Sequence, residues 1–228
     1  MFAATGPFSG ESVSDASPLV TGLQLLSHIF FVFAVAYNVW RKHWYLAVNG
    51  GITTGVSLMY HACRGAIYCF GIMPDLLRRA DHVAALNGFG ALALHLIQYD
   101  LIYGIGSGRP AAAAAVARHL LWVVCLLAVF AWPFALQSAV LLLAYLLVVV
   151  AVRYLGDPDT KSVGVPAFVT RWLVLGVVAA LLGLGCYFYN SGTRHTDTTA
   201  DGIVHSTWHV FAGVAYWALS AAIDDGAL

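Results

Sequence analysis

The sequence predicts an all-α membrane protein, a bundle of seven transmembrane helices, and three observations carry that prediction. Of 228 residues, 61% are hydrophobic and only 10% are charged, against about 25% charged in a typical soluble domain. The apolar residues fall into runs near the roughly 20 that a bilayer-spanning helix needs. The connections between runs are short. The longest, Arg64 to Asp81, Gly104 to Ala115, Arg153 to Val165 and Asn190 to Gly202, leave no room for a second domain. Eleven basic and eleven acidic residues cancel, so no net field recruits nucleic acid or an acidic partner.

The runs place helices near Leu19 to Trp40, Tyr45 to Cys63, His82 to Tyr103, Val116 to Ala131, Phe134 to Val152, Pro166 to Tyr189 and Ile203 to Ile223. The fourth and fifth share one apolar stretch, broken only at Trp132-Pro133, where proline removes a backbone donor and favours a bend. A tight helical hairpin is expected there. Ala111 to Ala115 begins the fourth helix, and the sequence holds no internal repeat. Residues 1–18 read as a short external segment, 19–223 as the membrane body and 224–228 as a cytoplasmic tail. Met1 to Pro18 has no Lys or Arg and no apolar core, so the first membrane helix is expected to serve as the targeting signal.

Orientation follows from basic residues near span ends. With the N-terminus extracellular or lumenal, Arg41, Lys42, Arg109, Arg118, Arg153, Lys161 and Arg171 lie in the cytoplasm, while Arg64, Arg78, Arg79 and Arg194 lie outside. That bias predicts N-out, C-in, in the plasma membrane or an endomembrane. Trp40, Trp44 and Tyr45 then fall where an inner aromatic belt belongs. Gly183 and Gly185 read as close-packing positions of the sixth helix.

The polar residues inside these runs carry the chemistry. His205-Ser206-Thr207-Trp208-His209 opens the seventh helix, and its two imidazoles, four residues apart, share a face. On the second helix Ser57 and His61 are likewise four apart, near that helix's end, and Asp81 precedes the third. An even-numbered helix ends on the side where an odd-numbered one begins, so all five belong to one layer whatever the orientation. With N-out, that layer lies near the outer leaflet. Ionisable groups in membrane helices are expensive and usually face a binding interior. Three imidazoles suit catalytic zinc, which commonly takes three protein ligands and keeps a fourth position for water. His61, His205 and His209 are therefore the candidate metal ligands.

Bound zinc lowers the pKa of water and polarises a carbonyl. Asp81 is the candidate general base, or a carboxylate holding a ligand imidazole in its tautomer. Ser57 is the candidate oxyanion donor. Each has a plainer reading, Ser57 as a small packing residue and Asp81 as a helix N-cap. His28, His95 and His119 are read as interhelical hydrogen-bonding histidines, and Cys125 as a small apolar residue. Cys63 and Cys69, six apart on the expected oxidising side, are candidates for a disulfide.

Ser57-Leu58-Met59-Tyr60-His61-Ala62-Cys63, Cys69-Phe70-Gly71-Ile72-Met73, Asp81 and His205-Ser206-Thr207-Trp208-His209 together resemble the motifs of the CREST superfamily. That superfamily includes alkaline ceramidases and progestin and adipoQ receptors. The Tyr-His-Ala-Cys and His-Ser-x-Trp-His runs look closest to its branch of myomaker-type proteins and the GPI-anchor lipase. The resemblance spans Leu19 to Ile223. It implies a seven-helix membrane fold with zinc on His61, His205 and His209, and with Ser57 and Asp81 as the family's serine and aspartate. In the superfamily's hydrolases such a site cleaves an ester or amide of a membrane lipid.

Two departures are visible. Only Met1 to Pro18 precedes the first helix, unlike the large external region of the GPI-anchor lipase. Asp224 to Leu228 lacks the lipidated cysteines of the myomaker tail. The expected function is thus zinc-dependent hydrolysis of an acyl bond in a membrane lipid, with membrane lipids as partners and a homodimer as one open assembly state. The alternative is a non-enzymatic, myomaker-like protein of membrane remodelling or cell fusion, with zinc as a structural clamp.

Overall fold

The computed structural model describes residues 17–102, 109–131, 141–150, 169–192 and 198–223. It is an all-α structure. The helices are α1 (Pro18–Ser27), α2 (Ile29–Trp40), α3 (Trp44–Arg64), α4 (Pro74–Ile102), α5 (Arg109–Ala131), α6 (Leu141–Val150), α7 (Thr170–Gly192) and α8 (Thr198–Ser220). α1 and α2 are two halves of one broken helix, Pro18–Trp40, so the described residues hold seven helices, the number expected. Pro18–Trp40, with 23 residues, and Thr170–Tyr189, with 20, are long and apolar enough to cross a membrane. At about 1.5 Å per residue each reaches or exceeds the roughly 30 Å of a hydrocarbon core. Ala115–Phe130 and Leu141–Val150 are shorter apolar helices. The Trp132-Pro133 bend and residues 1–16 and 224–228 of the terminal segments fall outside the described residues.

The first helix starts as its residues dictate. Ser17 accepts a hydrogen bond from the Val20 amide at 3.3 Å, and Pro18 fills the first helical position, where no amide partner is needed. It breaks at His28 for a local reason. The Gln24 carbonyl is taken by the Ser27 hydroxyl at 2.7 Å and the His28 Nδ1 at 2.7 Å, while the His28 amide turns to Leu25. Side chains inserted into the helical ladder bend it. His28 is thereby the hinge residue between α1 and α2.

α4 differs from the expectation. It begins at Pro74 and runs 29 residues, so Asp81 lies within a helix and is not an N-cap. Pro74 at the start and Asp75 in the first turn are ordinary initiation signals. Asp75 also receives Arg79 Nε at 3.2 Å.

α8 is the hub. It packs against α1, α2, α4 and α7, and α3 packs against α1, α2 and α4. Close approach is built by missing side chains. A Cβ at Gly213 would stand 2.7 Å from Phe30 Cβ and 2.9 Å from the Phe30 carbonyl carbon, so α8 meets the start of α2 nearly backbone to backbone. Gly183 of α7 sits against Trp208 and Phe211 as expected, whereas Gly185 faces open space within 4 Å.

The interior is polar in layers. Asn87 donates to Asn49 at 2.5 Å, Thr53 donates to the Ala84 carbonyl at 2.8 Å, and Tyr216 donates to the Leu46 carbonyl at 2.9 Å. These bonds tie α3 to α4 and α8. Outside, α5 and α7 present Val116, Val123, Leu127, Val177, Leu181 and Phe188.

Candidate metal centre

α8 brings His205 and His209 to one face, and their rings lie 4.6 Å apart between centroids. From α3, His61 comes up between them, 5.0 Å from the His205 ring and 4.9 Å from the His209 ring. The Nε2 atoms of His61 and His205 are 3.3 Å apart. Zinc–nitrogen bonds of about 2.0–2.1 Å would set two nitrogens of a tetrahedral shell about 3.3 Å from each other. The three histidines expected from the motifs are therefore gathered in one place.

His28 joins them. Its ring is 4.3 Å from that of His209 and 5.5 Å from that of His61. One ligand atom each from His28, His61 and His209 lie within 4.8 Å of one another, and all three residues are buried. The motifs do not point to this residue, because a lone histidine in an apolar run has no second ligand-type residue in its own helix. The available signal was Gln24, Ser27 and His28, polar residues three and four apart inside an apolar helix.

The hydrogen bonds fix which nitrogens face the cluster. Ser27 spends its one proton on the Gln24 carbonyl, so at 3.0 Å from His209 Nδ1 it can only accept. His209 therefore carries its proton on Nδ1 and a lone pair on Nε2. His28 likewise donates from Nδ1 to Gln24 at 2.7 Å. Its buried Nε2 has no hydrogen-bond partner, and neither has His61 Nδ1. Metal-ligating histidines characteristically donate their second ring nitrogen to a carbonyl or similar group. The donor set and the unpartnered His28 Nε2 fit a metal ion; His61, whose Nε2 faces His205, lacks such a bond at its second nitrogen.

Ser57, one turn before His61 on α3 and buried, donates a hydrogen bond to the Asp81 carboxylate of α4. That pair stands at the same end of the bundle. Beside it His82 meets the Tyr187 hydroxyl at 3.0 Å, linking α4 to α7. Beyond His61, Cys63 and Cys69 form a disulfide. It closes the turn that follows α3, where Ala66, Phe70 and Gly71 take positive φ. The other two histidines read as hydrogen-bonding residues lie elsewhere. His95 is buried with its ring 5.0 Å from His43, and His119 is exposed on α5. Cys125 is buried in the apolar core.

No curated protein matches the chain. Residues 19–210, which include every residue of the histidine cluster, match the family described as "Protein of unknown function (DUF3522)", and the chain belongs to that family.

Proposed function

We propose that this chain is a multi-pass integral membrane protein that hydrolyses an acyl bond, ester or amide, of a membrane lipid with the help of zinc. The observation that carries the reading is a buried histidine cluster beside a hydrogen-bonded serine–aspartate pair, at one end of a bundle that is polar within and apolar without. An aqueous protein would bury Leu127 and Leu181 and expose Asn49 and Asn87. Here Leu127 is 59% and Leu181 63% exposed, while Asn87 is fully buried. Lipid is the solvent in which that arrangement is favourable. The basic residues favour an extracellular or lumenal N-terminus and a cytoplasmic C-terminus, which puts the cluster near the outer leaflet, at the depth of a glycerol or sphingoid backbone.

His61, His205 and His209 would hold the ion, with His28 against them. Zinc in such a site supplies Lewis acidity toward a carbonyl and makes water easier to deprotonate at neutral pH. The remaining work falls to the protein. Asp81 takes the proton of the attacking water, and the Ser57 hydroxyl aims its carboxylate until it does so. Once protonated, Asp81 becomes a donor. Ser57 can then accept from it and turn its own proton toward the oxyanion on the former carbonyl, so one proton transfer arms the second hydrogen bond. Asp81 returns the proton to the leaving oxygen or nitrogen.

The test compares zinc-loaded wild type and Asp81→Asn in lipid vesicles, with mass spectrometry of the lipids. Asp81→Asn should keep its zinc and lose about 100- to 10,000-fold in turnover. If both proteins carry zinc and no lipid species differs between them, the hydrolase reading fails. A second reading, a non-enzymatic membrane-remodelling protein with zinc as a clamp, is favoured by one observation, the presence of His28 in the cluster. Structural zinc sites are closed by four protein ligands.

A further inference from the structure

We infer that His28 is a fourth metal ligand, so that the centre closes on four imidazoles drawn from the α1–α2 break, α3 and α8. This rests on the metal-centre reading above and goes further, since three histidines would suffice for that reading.

Three independent features point to it. The first is chemical. His28 is 1% exposed, its Nδ1 is committed to Gln24, and its Nε2 has no hydrogen-bond partner. A buried polar atom without a partner carries a desolvation penalty of about 1–3 kcal/mol, which a metal bond would relieve. The second is geometric. His28 offers a ligand atom within 4.8 Å of those of His61 and His209, and the His61 and His205 Nε2 atoms stand 3.3 Å apart. His205 stands outside that group of three and reaches it through His61, Nε2 to Nε2.

The third is in the construction of the backbone. The segment carrying His28 is brought against α3 and α8 at three glycines. A side chain at Gly65 would collide with Thr21, one at Gly202 with Val20, and one at Gly213 with Phe30. The break at His28 supplies the final adjustment, because Gln24 gives up its carbonyl to the Ser27 and His28 side chains. That one carbonyl orients two rings, His28 directly and His209 through Ser27. A histidine serving only to bond its own helix would need neither the close approach nor the shared carbonyl. The consequence is a tether that fixes α1 to α3 and α8 through the ion.

X-ray absorption at the zinc edge counts imidazole ligands directly. Applied to the full-length protein loaded with zinc in detergent micelles, it should give four imidazoles for the wild type. His28→Gln should give three imidazoles and a lighter donor. Its zinc affinity, measured by chelator competition, should fall by more than the roughly 10- to 100-fold that loss of an outer hydrogen-bond partner costs. A wild-type count of three overturns the inference by itself, even if His28→Gln does not fold. So does a His28→Gln protein with the wild-type spectrum and affinity. A wild-type protein that takes up no zinc overturns the metal-centre reading as well, so the two failures are distinct.

Discussion

Ser27→Ala tests the tautomer assignment at the heart of the metal centre without touching a ligand. In the wild type the Ser27 hydroxyl donates to the Gln24 carbonyl at 2.7 Å and accepts from His209 Nδ1 at 3.0 Å. Alanine removes the acceptor and leaves His209 two options. It can keep its proton on Nδ1, buried and with only the Gln24 carbonyl left as acceptor, at up to about 1–3 kcal/mol. Alternatively it can move the proton to Nε2, the atom that faces the cluster, and lose its lone pair there. Either way the metal-binding form is penalised. Loss of such outer partners typically weakens binding about 10- to 100-fold, or about 1.4–2.7 kcal/mol at 1.4 kcal/mol per decade.

Chelator competition in micelles reads the affinity, and thermal unfolding with and without zinc separates the two options. An Nδ1–H deprived of Ser27 lowers stability in both states. A tautomer shift leaves the zinc-free protein nearly unchanged and reduces only the stabilisation that zinc adds, by the same factor as the affinity. If Ser27→Ala folds, binds zinc with wild-type affinity and melts as the wild type does, the assignment of His209 Nε2 as the metal-facing atom is wrong.

Two further predictions concern the frame around the centre. Gly213→Ala places a methyl against the Phe30 backbone, 2.9 Å from its carbonyl carbon, and should destabilise the protein by about 1–3 kcal/mol; Gly185→Ala, facing open space, should not, and equal melting temperatures for the two would refute the close α2–α8 crossing. Replacing Cys63 and Cys69 by serine opens a loop with a sequence separation of 6 and should lower stability by about 2 kcal/mol, less than the roughly 3 kcal/mol of a 15-residue loop. Alkylation of native membranes before and after reduction checks the bond in place. Free thiols at both positions in fresh membranes would argue that this face lies in the reducing cytosol, against the N-out orientation.

What could be read from the residues in advance follows a physical divide. Spacing within a helix is written in the chain, so His205 with His209 and Ser57 with His61 share a face whatever the tertiary contacts. Hydropathy points to the helices because the outer sides of α5 and α7 are largely aliphatic. It misplaced the start of α4, since Arg78, Arg79 and Asp81 look like a loop to a scale that measures transfer and not helix formation. Pro74 and Asp75 were the cue, and capping chemistry marks a helix start where apolarity marks only the membrane.

What could not be read was the meeting of helices distant in sequence. Gly183 and Gly185 look alike in the chain, yet only the first has a neighbour to press against, because two residues of rotation on a helix change the facing surface by about 200°. His28 is the same case with a chemical outcome. Its apolar neighbours, Ile29, Phe30 and Phe31, advertise a lipid-buried helix, and a solitary imidazole there has the prior of a hydrogen-bonder. Only the approach at Gly213, four residues past His209 on the same face, turns it into a member of the cluster. A glycine one turn from a ligand-type histidine is therefore a sequence signal that a second helix comes close enough to contribute its own ligand, and a lone histidine in the helix it contacts should be weighed as that ligand.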